Sequence, residues 1–252
     1  MKNLCDEIAR GFREFAKMSD VISSVDVDRA ITSRRSVRAF LSKCVSREDI
    51  ESILQVASRA PSGANAQPWK VHVLTGQALR RLSELLLDEY NAPGGPAVQP
   101  RPYQYYPEEW VEPYLGRRRK VGFDMYRLLG IARDERSRMH ALTARNYEFF
   151  GAPVGLIFAI DKRMPVGSWL DYGLFIQSIM ISARGRGLDS CPQAAFIDYA
   201  DTVAEFVGLP QSEMVVCGMS LGYADPDAVV NRLDTDRAPV STFTVFHDGR
   251  WL

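Results

Sequence analysis

The sequence predicts an α+β fold, in which a few strands lie among longer helices. Three stretches support this prediction. Residues 69–75 alternate between polar and apolar side chains, as in a half-buried strand. Residues 154–160 form a short apolar run, which is typical of a fully buried strand. Residues 169–184 have the pattern of a long helix that is apolar on nearly every side, and such a helix is buried on several faces.

Helices are predicted on both sides of the first strand. Apolar residues at helical spacing indicate an amphipathic helix within residues 4–15 and a second, short helix at 27–31. Ser46 is typical of a helix N-cap, because acidic residues follow it in the first turn. That helix is expected to end at residues 61–63. Leucines at helical spacing predict another helix at residues 79–86.

Residues 91–150 break this regular pattern. Six prolines fall within residues 93–113, with tyrosines and a tryptophan between them. A segment of this kind is either a linker or a functional loop, and a linker would be polar rather than aromatic. We therefore expect a lid, or an arm that packs against a partner. The basic run at 117–120 is interpreted as a solvated helix face, and helices are expected at 125–129 and 137–149.

The remaining chain is predicted to complete one domain. Further strands are expected at residues 188–191 and 214–219, with a possible final strand at 242–246 and a short helix at 199–207. No internal repeat or domain boundary is evident. We expect residues 1–252 to form a single domain with the insertion at 91–150.

Composition excludes several classes of protein. The chain has 252 residues and a formal net charge of zero, whereas a general nucleic-acid binder would be basic. Its apolar runs are too short to span a membrane, and its N-terminus lacks a signal-peptide core, so we expect a cytoplasmic protein. The four cysteines form no C-x-x-C pair, which argues against zinc and dithiol chemistry and favours buried free thiols.

Residues 34–40 contain the most informative cluster. Three guanidiniums and a hydroxyl fall within five positions, at Arg34, Arg35, Ser36 and Arg38. Arginine binds phosphate oxygens in a bidentate manner, and serine adds a short donor. The cluster is therefore a candidate site for a phosphate monoester, although a basic run of this kind can also be solvated surface.

Four motifs together resemble the nitroreductase family of flavin mononucleotide (FMN) enzymes. They are residues 34–40, residues 61–69, the turn at 187–188 with the following 192–196, and residues 236–239. The resemblance extends from about residue 28 to 245 and is weaker over the insertion, which is similar to that of the nitrobenzoate-reductase-like branch. It implies a three-layer fold with a central, mostly antiparallel sheet flanked by helices. It also implies an intertwined homodimer with FMN at the subunit interface.

The resemblance assigns the phosphate end of the flavin to one subunit. Arg34, Ser36 and Arg38 are expected to contact the phosphate, the ribityl chain or a ring carbonyl. Arg35 is expected to contribute through its backbone. Arg237 is expected to close on the phosphate from the C-terminal side, which gives the anion several charge-assisted contacts.

Two further segments are expected around the flavin ring. The resemblance places Pro61, Ser62, Gly63 and Asn65 on the other subunit's side of the flavin, with Gln67 nearby; for the two amides, hydrogen bonding within the loop is the alternative. Backbone N–H groups of the second segment are expected to reach ring atoms N5 and O4. The members of that segment are Pro192, Gln193, Ala194 and Ala195. Family members often have glycine or an acid here, so no side-chain role is carried over to the two alanines.

The expected chemistry belongs to the cofactor. FMN is expected rather than FAD, because no G-x-G-x-x-G fingerprint follows a strand. NADH or NADPH would supply hydride and a small nitroaromatic acceptor would receive it, with no protein catalytic residue and no metal. Open alternatives are a quinone reductase, a reductive dehalogenase, an oxygen-dependent flavin-fragmenting enzyme and a non-catalytic flavin-binding protein. Aromatic residues of the insertion either stack on the acceptor or form a lid core: Tyr103, Tyr105, Tyr106, Trp110, Phe123 and Tyr126.

Overall fold

The computed structural model describes residues 23–93 and 98–247. The helix predicted within residues 4–15 lies outside these ranges. Within them the helices are α1 (Ser24–Ser33), α2 (Arg47–Ala57), α3 (Gly76–Tyr90), α4 (Tyr114–Leu128), α5 (Arg136–Ala144), α6 (Val166–Arg184) and α7 (Ala200–Val207). The strands are β1 (Lys70–Thr75), β2 (Val154–Asp161), β3 (Asp189–Gln193) and β4 (Glu213–Gly222).

The four strands form one antiparallel sheet in the order β1-β2-β4-β3. β2 and β4 are central, and both are almost entirely buried. This position explains the unbroken apolar run of β2, since both of its faces pack against other elements. β1 and β3 form the two edges of the sheet.

Helices cover both faces of this sheet. Adjacent residues of β2 point in opposite directions, so that Ile157 joins one core cluster and Phe158 the other. Leu82 of α3 packs with Ile157, whereas Ile53 of α2 and Ile179 of α6 pack with Phe158. The result is the three-layer arrangement of helices and antiparallel sheet that the resemblance implied.

Four predicted elements differ from the structure. Helix α2, expected to end at residues 61–63, ends at Ala57. The helix predicted at 125–129 begins at Tyr114, because the basic residues of its first half are good helix formers although they carry no apolar pattern. The helix predicted at 137–149 ends at Ala144, and Phe149 and Phe150 have φ of 50° and 54°, which no α-helix accommodates. Residues 242–246 form no strand; Thr242 is the last residue of a short 3₁₀ helix, Val240–Thr242, and the residues after it are irregular.

The cysteine prediction is correct for two of the three described thiols. Cys191 and Cys217 are buried and free. Cys44 is free but exposed, so the prediction of burial is wrong there. It lies in the irregular segment between residue 40 and α2, which contributes little to the core.

Candidate functional site

The arginine segment lies beside edge strand β3. Helix α1 ends at Ser33, and the chain continues in extended conformation from Arg34. Ser36 forms a parallel bridge with Ser190 of β3, and the Val37 N–H donates to the Ser190 carbonyl at 3.1 Å. Val37 is buried, so its side chain anchors the segment to the core while the residues on either side remain accessible.

The chain beyond β4 returns to the arginine segment. The Arg38 N–H donates to Asn231 Oδ1 at 2.8 Å, and Asn231 Nδ2 donates to the carbonyl of Ala39 at 2.8 Å. Arg237 then lies near Arg34: burial lowers the pKa of the Arg34 guanidinium, and the positive charge of Arg237 lowers it further. Residues more than two hundred positions apart are thereby brought together.

These cations have no carboxylate partner in the described part of the chain. Among the residues that the structure describes, no salt bridge joins Arg34, Arg35, Arg38 or Arg237 to a carboxylate. Within residues 23–93 and 98–247, Arg237 donates to the backbone and hydroxyl oxygens of Thr235 and to the carbonyl of Asp236. Two neighbouring guanidiniums repel each other, and a bound anion would supply the missing counter-charge.

Two buried groups of β3 adjoin this cluster. Ser190 is 2% exposed, and its hydroxyl oxygen has no hydrogen-bond partner among the described residues. A buried, unsatisfied hydroxyl is rare and requires an explanation; a bound phosphate ester or its hydroxylated chain would provide one. Next to it, burial raises the pKa of the Cys191 thiol to about 11, against the opposing effects of Arg38, Ser36 and Arg34. The thiol is therefore neutral at physiological pH.

The segment after β3 exposes backbone donors. Ala194 begins a short 3₁₀ helix, Ala194–Tyr199, and the first N–H groups of a helix have no partner within it. Pro192, Ala194 and Ala195 are half-buried, so this segment is partly open to solvent. Gln193 is buried instead, with its side chain bonded to Asn146 and Ser220. Any contact of Gln193 with a ligand would therefore come from its backbone.

The loop at residues 61–67 is held in an uncommon conformation. Ala64, Asn65 and Gln67 have φ of 50°, 56° and 49°, and non-glycine residues in this region are uncommon and concentrate at functional sites. The Gly63 N–H donates to Asp171 Oδ2 of α6 at 3.1 Å. Gln67 donates from its side chain to the Asn65 carbonyl at 3.1 Å and from its backbone to Ser62 Oγ at 3.0 Å. Bonding within the loop, the alternative expected for Gln67, is thus present.

Pro61 and the rest of this loop do not meet the arginine segment within one chain. The loop precedes β1, at one edge of the sheet, whereas Ser36 pairs with β3 at the other edge. Three interstrand spacings of about 4.8 Å separate these edges. The structure therefore places the Arg34, Arg38 and Arg237 cluster beside Ser190 and Cys191, directly before residues 192–195. It leaves residues 61–67 across the sheet.

The aromatic residues of the insertion divide into two groups. Tyr103, Tyr105, Tyr106 and Trp110 form a row, with successive ring centroids 6.4, 4.7 and 5.5 Å apart. Tyr103 also packs against Trp169 of α6, and burial raises its pKa. In a separate place, Phe123 and Tyr126 line a surface cavity with Arg127 and Arg133. The first group is attached to the core through Trp169, and Tyr126 of the second group lies near the buried Tyr90.

Sequence reasoning missed three residues that organise the site. Asn231 lies in an irregular stretch with no motif, and Ser190 became informative only through its pairing with Ser36. Asp171 could have been recognised, because it is the single acidic residue in a mostly apolar helix. Elsewhere in residues 23–93 and 98–247, no cluster of His, Cys, Asp or Glu side chains could hold a metal ion, and no helix is long and apolar enough to cross a membrane.

Comparison with known proteins identifies the relatives of this chain. The model of the "Nitroreductase family" matches residues 31–223. A 4-nitrobenzoate reductase of Pseudomonas putida is 43% identical over 221 residues, which is 88% of this chain and 95% of that protein. The structure of the FMN-dependent nitroreductase NfnB from Mycobacterium smegmatis in complex with NADPH has a TM-score of 0.84 at 32% identity. The match covers 89% of this chain and 99% of that one. An FMN- and NADPH-dependent NfnB of sphigopyxis sp. strain HMH has a TM-score of 0.83 at 35% identity, over 88% and 98% of the two chains.

Proposed function

The chain belongs to the nitroreductase family, and from this membership we propose that it is an FMN-dependent oxidoreductase that uses NADH or NADPH to reduce nitroaromatic compounds. The observation that carries the proposal is the approach of Arg237 to Arg34 without a carboxylate, beside the unsatisfied hydroxyl of Ser190. This donor set fits a phosphate monoester, which carries about two negative charges near neutral pH. Relatives that are 38–43% identical over most of the chain are named as 4-nitrobenzoate reductases and a chloronitrobenzene nitroreductase.

One group of residues binds the phosphate end of the cofactor. Arg34, Ser36 and Arg38 hold the phosphate and the adjoining ribityl chain, with Arg35 acting through its backbone. Arg237 closes on the phosphate from the C-terminal segment. Charge-assisted contacts of this kind are roughly twice as strong as neutral ones, so the phosphate supplies much of the binding energy.

The ring end is bounded by the segment of residues 192–195. The leading N–H groups of the 3₁₀ helix at Ala194 and Ala195 would act as donors to the ring of bound FMN, and Pro192 and Gln193 would contribute through their backbone. FMN, when bound, supplies hydride transfer from NAD(P)H to the nitro group, giving nitroso and hydroxylamine products. The chain's own part is to bind and orient the ring and the acceptor, and we assign it no proton-transferring residue.

A second copy of the chain completes the site. Residues Pro61, Ser62, Gly63, Asn65 and Gln67 lie at the opposite edge of the sheet from the arginine cluster, so they would bound the flavin of a partner subunit. Helix α6 supports this, because it exposes an apolar stripe of Val166, Leu170 and Leu174, which are 83%, 75% and 47% exposed. Obligate dimer interfaces are large and apolar. We therefore propose a homodimer.

We further propose a single domain with the insertion at residues 91–150, in the cytoplasm. Free thiols support this location, since Cys44, Cys191 and Cys217 form no disulfide among the described residues. The insertion supplies the aromatic row of residues 103–110 as candidate contacts for a flat acceptor.

Cofactor release and an anaerobic assay test the proposed function. The purified protein should release FMN on heating, identified by chromatography; release of FAD would contradict it. NADH or NADPH oxidation should then accelerate when 4-nitrobenzoate is added. A flavin that is reduced by nicotinamide but ignores nitro compounds would favour another flavoenzyme, and a flavin that neither nicotinamide reduces would favour a binding protein.

A further inference from the structure

The side chain of Gln193 is buried and bonded at both ends of its amide. It is 3% exposed, at the end of β3 directly before Ala194. Its Nε2 donates to the Asn146 carbonyl at 2.8 Å, and its Oε1 accepts from the hydroxyl of Ser220 at 2.6 Å. Ser220 belongs to central strand β4 and is fully buried. The turn at Asn146 and strand β4, which are remote in sequence, thus both bond to the Gln193 amide.

The Asn146 contact leads into the turn that ends the insertion. That turn includes Phe149 and Phe150, both buried and both at positive φ. Such residues are strained and persist only where their surroundings fix them. The Phe150 carbonyl accepts from the N–H of Phe40, which follows the arginine segment. One turn therefore contacts both the phosphate-side segment and, through Gln193, the ring-side segment.

Burial alone does not account for an amide at position 193. A methionine side chain has a similar length and would fill the space without hydrogen-bond partners. An amide in a core must be satisfied or it destabilises the fold. What the amide adds is direction, because its two bonds define the orientation of Gln193 and of the peptide that follows it.

We propose that Gln193 is a positioning residue for the flavin. Its amide fixes the direction of the Ala194 and Ala195 N–H groups, and thereby sets how strongly the site favours reduced over oxidised FMN. Donors aimed at O4 stabilise the negative charge that gathers there on reduction, and this stabilisation depends on their alignment. The inference rests on the proposed function, since it requires FMN in the site.

Gln193→Met removes both bonds at nearly constant volume. With FMN saturating, the midpoint potential measured by spectroelectrochemistry should fall, reflecting an about tenfold weaker preference for reduced FMN, which is about 30 mV for a two-electron couple. The Kd for oxidised FMN, measured by fluorescence, should change less. Ser220→Ala should shift the potential in the same direction by a smaller amount. The double variant should not exceed Gln193→Met, because both changes act through one amide.

Leu82→Ala is the control for loss of packing. Leu82 is fully buried in the same core but lies in α3, away from the β3 end. It should lower Tm and leave the potential unchanged. If Gln193→Met and Ser220→Ala lower Tm in the same way and leave the potential at the wild-type value, the proposal is overturned. If Gln193→Met does not fold, Ser220→Ala decides alone.

The outcome separates this inference from the function on which it rests. A wild-type protein that binds no FMN overturns the proposed function and the inference together. A wild-type protein that binds FMN and reduces nitro compounds, but whose variants keep its potential, overturns the inference alone.

Discussion

Replacing Arg237 with alanine should have opposite effects on the free protein and on its FMN complex. Without FMN, the positive charge of Arg237 opposes that of Arg34, so its removal relieves a repulsion. With FMN, its removal deletes one charge-assisted contact to the phosphate, which is worth about 1.5–3 kcal/mol. The Kd for FMN should therefore rise about ten- to hundredfold, while the Tm of the FMN-free protein should not fall.

Fluorescence titration and thermal unfolding measure these two quantities on the same preparation. The defect should appear as lost flavin rather than lost chemistry, so turnover should recover as FMN is added. Arg119→Ala is the matched control, because it removes the same charge from an exposed position of α4. Arg118 is less suitable, since its guanidinium lies 5.0 Å from the Trp110 ring centroid.

Two results would refute the reasoning about Arg237. Full FMN occupancy of the variant in dilute solution would show that the C-terminal segment is not at the phosphate. Normal occupancy with impaired hydride transfer would instead assign Arg237 to the nicotinamide or the acceptor.

Three further predictions follow from other parts of the structure. Leu170→Asp should weaken the proposed dimer at least a hundredfold, because an unpaired charge buried in the interface costs about 3 kcal/mol. Analytical ultracentrifugation measures this change. The control Leu85→Asp, at an exposed position of α3, should leave the dimer intact. Asp171→Ala removes the acceptor of the Gly63 N–H. The lost hydrogen bond is worth about 0.5–1.5 kcal/mol, so the Kd for FMN should rise about two- to tenfold. An unchanged Kd would show that this loop does not contribute to flavin binding. Burial raises the pKa of Cys191 from 9.0 to about 11, so the unfolded chain ionises first and the free energy of unfolding should fall between about pH 9 and pH 11. Urea titrations of Cys191→Ala should show a weaker decline.

Much of the fold could be predicted because its elements carry strong periodic patterns. The apolar run of β2 and the apolar helix α6 are both close to their predicted bounds. Polar helix α4 was missed in its first half because none of its residues is buried, so no apolar pattern marks it. The opposite error occurred at residues 242–246, where apolar residues suggested a strand. Phe243 is 69% exposed there, and a strand requires a neighbouring edge that this part of the chain does not meet.

The candidate site was predictable where it is local and not where it depends on contacts across the fold. The residues of 34–40 form a compact motif that can be recognised within one stretch. Ser190 and Asn231 are single residues whose roles depend on pairing with that motif from more than 150 positions away. No pattern within their own neighbourhoods distinguishes them from ordinary polar residues, so only the folded chain identifies them.

The separation of the two halves of the site links flavin binding to dimerisation. If the arginine cluster of one subunit and residues 61–67 of the other bind the same FMN, each process must strengthen the other by the same free energy. The Kd for FMN should then increase on dilution of the protein, and Leu170→Asp should lose FMN although it lies outside the flavin contacts. Arg237→Ala should weaken the dimer only when FMN is present, because it alters the ligand and not the subunit interface. An FMN affinity that is independent of protein concentration across the dimer dissociation range would place the complete flavin site within one chain.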